Sequence, residues 1–405
     1  MTPNKKHKQA KITGTLVTIL SIVVGGVFGL LFYRLLDRAT AELSSGLQIL
    51  VSLGSLLYVF ALIWIQALIH ESGHLVFGLL LGYRFRSFRI GSFMWLKEGT
   101  KLKFKRYSLA GTGGQCLMFL PKGKITPKTH LLYHLGGSIF NAICGIACMV
   151  GYACCKEALW VGAIFFLTGG MSFICALSNG IPMRMAMLNN DGHNALSILR
   201  DPHGAEAFCD QLRITEEESK GIRMKDMPDE WFPIPSEEAM GNSMVATMGV
   251  LAAFRLMEQH KFLEADALMV YLLETDSAMV GYHRGLLTCQ RIYIEILREN
   301  RWQVLQSFLT PDQKKFMKTM RKNPTVLRTE YALARLSERN LVKAQTVYRE
   351  FDALAKVYPY EKDIADEREL LALVKEKARI YAMIAQRRVQ QDNFPTQQIP
   401  EDPMM

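Results

Sequence analysis

The chain has 405 residues, of which 49% are hydrophobic, and a formal net charge of +10 at pH 7. The positive charge belongs to the first half, because residues 1–199 contain 19 Lys and Arg against 6 Asp and Glu, whereas residues 200–405 contain 29 against 32. Basic residues beside apolar segments follow the positive-inside bias of membrane proteins, so this excess gives no reason to expect a nucleic-acid partner.

The first two elements are apolar segments that follow a basic N-terminus, residues 1–11. The run 12–36 is long enough to cross a bilayer, and longer than the apolar core of a cleaved signal peptide, so it predicts a retained membrane span. The second segment, 47–83, is longer than a hydrocarbon core of about 30 Å requires. It is therefore expected to tilt, to bend or to extend into the interface.

The second span contains the sequence H-E-x-x-H, from His70 through Glu71 to His74. Two histidines four residues apart lie on one face of a helix and can bind one Zn²⁺, with the glutamate beside it. Ionisable groups at membrane depth are costly unless they are paired or bound to a metal, so this pattern indicates a functional site. The alternative is a polar cluster in the interior of the bundle, such as a proton path.

A basic segment follows, with eight Lys and Arg and one acid, Glu98, between residues 84 and 106. This excess places the segment on the cytoplasmic side. Apolar and basic residues alternate over 101–105, which predicts a β-hairpin or small sheet at about 84–108. Such a ribbon can lie on lipid headgroups or, in a protease, hold an extended substrate at its free edge. The glycine-rich stretch 111–114 predicts a bend or re-entrant turn.

Two further spans are predicted at 131–155 and 158–181, which gives about four spans and places both termini in the cytoplasm. Asn141 is a polar exception inside the third span, and it indicates either an interhelical hydrogen bond or a role near the metal. A catalytic zinc ion needs a third protein ligand. Asp191, after the fourth span, is the best candidate; a plain surface turn is the alternative reading of this position, and His193 is a rival ligand.

The second half reads as soluble and helical. Residues 200–243 are predicted to form a linker, 244–385 a cytoplasmic all-α domain and 386–405 a disordered tail. Similar short polar turns open helices at His260, Asn300 and Arg339, spaced by 40 and 39 residues. This spacing suggests tetratricopeptide-like helical repeats, although coincidence among helix starts explains three matches nearly as well. The predicted fold is thus mainly α: a membrane helix bundle at 12–199 with a small β insert, followed by this helical domain.

Several of these residues together resemble the site-2 protease family of intramembrane zinc metalloproteases. The resemblance covers about residues 45–200. It rests on His70, Glu71 and His74 in an early membrane helix, on Asn179, Pro182, Asp191 and Gly192 at the end of a later one, and on Gly137, Ser138 and Asn141. The last group departs from the family pattern, which has proline where this chain has Ser138.

The resemblance implies that His70, His74 and Asp191 hold Zn²⁺ and that Glu71 moves the proton during hydrolysis. It also implies that Asn179, and less directly Asn141, hydrogen-bonds the oxyanion or the substrate strand. We therefore expect an enzyme of a bacterial-type cell membrane that cuts transmembrane or membrane-inserted substrates. Its helical domain would recruit a substrate or a cytoplasmic protein partner. The alternative is a membrane-anchored helical-repeat scaffold whose metal site is structural or vestigial.

Overall fold

The computed structural model describes residues 3–108, 112–122, 126–155, 157–185 and 187–392, with side chains described for residue 19 and, within those ranges, for residues 21–387. The membrane-proximal helices are α1 (Pro3–Thr40), α2 (Ser45–Leu80), α3 (Pro127–Cys154), α4 (Leu159–Gly180), α5 (Asp191–Leu199) and α6 (Pro202–Ser219). The strands are β1 (Arg84–Ile90), β2 (Phe93–Glu98), β3 (Lys101–Arg106) and β4 (Gly114–Phe119). The later helices are α7 (Ser243–Glu258), α8 (Phe262–Glu274), α9 (Gly281–Leu297), α10 (Trp302–Phe308), α11 (Pro311–Thr319), α12 (Pro324–Ala332), α13 (Leu341–Val357) and α14 (Glu361–Asp392).

Three of the described helices, α2, α3 and α4, are long and apolar enough to cross a membrane. They occupy the predicted spans 47–83, 131–155 and 158–181. Many apolar side chains of α2, among them Ile49, Leu50 and Leu57, are more than half exposed in the protein alone. Such a surface needs a lipid environment. The remaining predicted span, 12–36, lies within α1, part of whose side chains fall outside the described residues, so the four-span count stays a prediction.

Glycines let the membrane helices approach one another closely. A Cβ atom added to Gly73 of α2 would lie 2.4 Å from the carbonyl oxygen of Gly136 in α3. Gly145 of α3 receives the ring of Phe173 from α4 in the same way. Because lipid gives apolar helices no hydrophobic reason to associate, such close backbone packing is a main source of their affinity for one another. It holds α2, α3 and α4 in a fixed arrangement around the site.

The predicted β insert is a four-stranded antiparallel sheet with the strand order β3-β2-β1-β4. The first three strands fall within the predicted range 84–108, and a bulge in β1 lies between Phe85 and Ser87. The fourth strand was not predicted, because the glycines before it indicated a bend. Of that glycine-rich stretch, 111–114, the first residue lies outside the described part of the chain. The sheet lies between α2 and α3 in sequence, so β4 leads back to the membrane helices.

By its internal contacts the chain forms two compact units, one of residues 1–288 with 357–362 and the other of 289–356 with 363–405. Residues 200–243, predicted as a linker, contain α6 and three short 3-10 helices, and Phe208, Leu212 and Ile214 are buried there. An amphipathic helix accounts for this packing. The tail predicted at 386–405 begins inside α14, and residues 393–405 lie outside the described chain.

The helical half carries one recurrent local geometry. Among the described residues other than glycine, only His260, Asn300 and Arg339 have a positive φ, of 56°, 54° and 53°. They are the same three positions at which the sequence repeats. Each stands between one helix and the next, where a left-handed residue reverses the chain. The repeated turn is thus a real structural feature, and its assignment to tetratricopeptide-like repeats remains a prediction.

Candidate active site

The H-E-x-x-H residues lie near the end of α2, in the regular helix that the apolar sequence predicts. Glu71 and His74 are buried, with 9% and 8% of their surface exposed. Because His70 and His74 are one helical turn apart, their rings meet edge to face, with centroids 4.8 Å apart. Their Nε2 atoms are 3.2 Å apart and point to one place.

Asp191 is brought to this place by its neighbour Asn190. After α4 ends at Gly180, the Asn190 amide nitrogen donates to the carbonyl oxygens of Ser178 and Ile181. The Asn190 Oδ1 atom accepts from the backbone nitrogens of Met183 and His193, and so caps α5. The loop is therefore tied to the end of α4 on one side and to the start of α5 on the other. This fixes Asp191, the first residue of α5.

The three predicted ligands lie together. Asp191 Oδ2 is 2.8 Å from His70 Nε2 and 3.3 Å from His74 Nε2. Zinc bound tetrahedrally, with bonds of about 2.0 to 2.2 Å, needs ligand atoms roughly 3.3 Å apart. Among the described residues this is also the one group of three or more His, Cys, Asp or Glu side chains close enough together to hold a metal ion. The residues present thus fit the metal that the sequence predicts.

The hydrogen bonds of Nδ1 explain why Nε2 of each histidine has a lone pair with which it can bind a metal ion. His74 Nδ1 lies 2.9 Å from the backbone carbonyl of Tyr133, so it must donate its hydrogen there. His70 Nδ1 lies 2.9 Å from Asn141 Oδ1. With the hydrogen on Nδ1, each neutral imidazole presents the lone pair of Nε2 to Asp191. Three acceptors this close repel one another unless they share a cation, either a proton or a metal ion.

The Cα atom of Gly137 in α3 forms one wall of this group. A Cβ atom at this position would lie 2.7 Å from Nε2 of both histidines. Gly192 shows a similar approach, since its Cβ atom would lie 2.3 Å from the carbonyl oxygen of Gly180. The glycines therefore leave room for the imidazoles and for α5. In the sequence Gly137 stood out as one of the residues that carry the family resemblance, which gave no indication of its contact with the histidines.

We expect the Gly137→Ala variant to lose zinc, because the added methyl group must displace both imidazoles. Zinc per chain after dialysis against a fixed free-zinc concentration measures the effect. Gly26→Ala is the control, since a Cβ atom at Gly26 meets nothing within 4 Å. Equal zinc contents in the two purified variants would contradict this geometry.

Glu71 lies against the first residue of β4. A Cβ atom at Gly114 would be 2.5 Å from Glu71 Cγ, so the strand backbone packs directly on this side chain. Arg89 of β1, with 1% of its surface exposed, holds that backbone by donating to the carbonyl oxygens of Gly91 and Gly114. Burial lowers the pKa of the Arg89 guanidinium, and the carboxylate of Glu71 opposes this shift.

Arg89 was counted in the sequence only as one of the basic residues that set the topology. Its true position, buried behind β4, gives it a structural role beside Glu71. In the sequence Arg89 stands between Phe88 and Ile90, which is the pattern of a solvated basic residue in an alternating strand, so no signal there indicated its burial.

The remaining predicted residues lie around the group in different ways. Asn141 is fully buried behind His70, and its amide nitrogen donates to Gln66 Oε1. Asn179 donates to the carbonyl of Cys175 in its own helix. His193 accepts from Arg184 Nε, away from the other two histidines. Burial, and to a smaller degree Arg184, lower the pKa of His193 to about 4, so it is neutral at pH 7.

Comparison with known proteins places this site in a family. Residues 58–362 match the family model described as peptidase family M50, and the match includes every residue of the site. The chain belongs to peptidase family M50. Members of M50, the site-2 protease family, are zinc-dependent metalloproteases and integral membrane proteins. No curated protein and no solved structure shows significant similarity to this M50 chain.

Proposed function

We propose that the chain is an intramembrane zinc endopeptidase in which His70, His74 and Asp191 hold the metal. The observation that carries this proposal is the convergence of three ligand atoms within 3.3 Å, in a chain of a zinc-dependent family. When bound, Zn²⁺ supplies the Lewis acidity that makes water a nucleophile near neutral pH. The substrates are membrane-embedded, as membership of a membrane protease family implies.

Glu71 is the general base in this proposal. It takes a proton from water as the water oxygen bonds to the scissile carbonyl carbon. It then delivers the proton to the amine nitrogen as the C–N bond breaks. Contact with Gly114 restricts the Glu71 side chain, and Arg89 holds that strand in place. The catalytic carboxyl group is thereby oriented before substrate arrives.

The substrate is expected to bind as an extended strand, since a helical peptide bond is not accessible to attack. Within the described sheet, β4 pairs only with β1, so no described strand pairs with its second edge. Strand addition at this edge would bring the scissile bond to the site. Asn179 is proposed to contact the oxyanion. For Asn141 we retain this role only as a prediction, because both atoms of its amide have partners.

The orientation and the helical half complete the proposal. The basic residues of β1 to β3 support a cytoplasmic position for the sheet and, with α1 as a fourth span, for both termini. The helical segment 244–385 is proposed to recruit a substrate or a protein partner. The repeated turns at His260, Asn300 and Arg339 support this role, because stacked helix pairs form extended binding surfaces.

Metal removal tests the proposed reaction. The purified chain, reconstituted in lipid vesicles with a panel of labelled transmembrane peptides, should cleave at least one of them. We expect a zinc chelator to abolish cleavage and added Zn²⁺ to restore it, whereas added Ca²⁺ should not restore it. Undiminished cleavage by protein shown to be free of zinc would exclude a metallopeptidase mechanism.

A further inference from the structure

A chain of buried hydrogen bonds runs from α4 through α2 and α3 to His70. Gln66 of α2, with 1% of its surface exposed, donates to Ser172 Oγ of α4 at 2.8 Å. The Gln66 Oε1 atom accepts from Asn141 Nδ2 at 2.9 Å, and Asn141 Oδ1 faces His70 Nδ1 at 2.9 Å. Gln66, His70 and His74 are spaced by four residues, so all three lie on one face of α2.

The direction of each bond is determined from one end. On the α4 side the backbone carbonyl oxygen of Thr168, which can only accept, lies 2.9 Å from Ser172 Oγ and 3.4 Å from Gln66 Nε2. Ser172 Oγ must therefore accept from Gln66, whose nitrogen thus faces α4 and whose oxygen faces Asn141. It follows that the Asn141 nitrogen faces Gln66 and that its oxygen faces the imidazole.

The far end of this chain sets the tautomer of His70. Because Asn141 presents an oxygen, His70 must carry its hydrogen on Nδ1, and Nε2 then presents a lone pair. A reversed amide at Gln66 would reverse Asn141 and place a nitrogen donor against His70 Nδ1. The hydrogen would then be favoured on Nε2, where it would block a metal. Such a reversal is disfavoured because it would place the Gln66 oxygen against the Thr168 carbonyl oxygen, and both can only accept.

We propose that Gln66, held by Ser172, is a positioning residue that acts through Asn141 to fix the ring and the tautomer of His70. This inference rests on the proposed zinc site. Outer partners of this kind typically change metal affinity by about 10- to 100-fold. The cost of losing one is increased here, because Gln66 and Asn141 are almost fully buried and an unpaired polar group is costly in such a place.

The test is zinc affinity, measured by competition with a chromogenic chelator on the full chain in detergent. We expect Gln66→Leu to weaken binding by about 10- to 100-fold. Gln66→Glu keeps an oxygen for Asn141 and should bind zinc nearly as well as the unchanged chain. Tyr58→Phe is the matched control. It removes another hydrogen bond between α2 and α4, from Tyr58 to Thr168 Oγ1, which is not one of the hydrogen bonds that lead from Ser172 to His70.

Two further measurements separate positioning from a general structural effect. Co²⁺ substituted for zinc should show an altered visible absorption spectrum in Gln66→Leu but not in Tyr58→Phe. If Gln66 acts through Asn141, the double variant Gln66→Leu with Asn141→Leu should bind zinc no more weakly than Asn141→Leu alone. Should Gln66→Leu fail to fold, Gln66→Met replaces it in both experiments.

The outcomes are distinct. Zinc affinity unchanged in Gln66→Leu, or equally weakened in Tyr58→Phe, would overturn the inference while leaving the zinc site intact. Additive losses in the double variant would also overturn it, because Gln66 would then act independently of Asn141. If the unchanged chain itself bound no zinc, the proposed function would fail first.

Discussion

The Glu71→Gln variant should lose about 10²- to 10⁴-fold in the rate of peptide-bond cleavage, the contribution typical of general acid–base catalysis. The amide of Gln has nearly the same shape as the carboxyl group, so the contact with Gly114 should persist. Glu71 is not one of the three converging ligands, so zinc content should stay that of the unchanged chain. Loss of turnover with retained metal is the signature of a missing base.

This loss is measured by comparing the membrane-bound peptide fragments of cells that make the unchanged chain with those of cells that make Glu71→Gln. Fragments present with the unchanged chain should be replaced by intact substrates that co-purify with Glu71→Gln. Glu98→Gln provides the control, because Glu98 lies on β2 and pairs with Lys103 and Lys105, apart from the site. Cleavage at the normal rate by Glu71→Gln would refute the assignment of the base.

The same variant distinguishes an enzyme from a membrane-anchored scaffold. If the helical half alone carried the function, the biological phenotype would survive Glu71→Gln and would disappear on deletion of residues 240–385. If the chain acts as a protease, Glu71→Gln alone should abolish the phenotype. The two readings thus make opposite predictions for one substitution.

The Asp191→Asn variant should weaken zinc binding by more than about 100-fold, because it removes the charged member of the proposed ligand set. Residues that only hydrogen-bond a metal ligand typically change the affinity by up to about 100-fold. Asn keeps the size of Asp, so α5 should remain capped by Asn190. Zinc affinity measured by chelator competition on the purified chain reports the loss directly. Cleavage should fall in parallel.

His193→Gln is the matched control for Asp191→Asn. It changes the other possible ligand, two residues along the same helix, whose Nε2 accepts from Arg184 instead. We expect its zinc affinity to match that of the unchanged chain. The opposite pattern, with zinc retained in Asp191→Asn and lost in His193→Gln, would show that His193 is the third ligand and Asp191 is not.

The grouping of the three proposed ligands could be predicted because each of them carries a signal in its own stretch of sequence. Two histidines four residues apart share a helical face, and Asp191 is an isolated acid after an apolar span. Gln66 was not predictable, because its partners Asn141 and Ser172 are 75 and 106 residues away in sequence. A single uncharged polar residue inside a long apolar run carries no indication of which neighbour it will meet.

The sheet shows the same limit. Alternating residues predicted β3, whose pattern is period two, and with it the small β insert. The sequence of β4 has no such alternation, and its first glycine suggested a turn. In the structure that glycine is required because Glu71 occupies the space a side chain would need. The sequence suggested that Gly114 belongs to a flexible turn, whereas the structure shows that it leaves room for Glu71.

The distribution of the ligands along the chain has a consequence for biosynthesis. Asp191 follows His70 by 121 positions, with α3 and α4 between them. A nascent chain that has been synthesised only as far as the end of α2 carries two of the three proposed ligands and cannot hold a catalytic zinc ion. On the proposed assignment, the protein stays inactive during its own insertion, and proteolytic activity begins only when α5 closes onto the completed bundle.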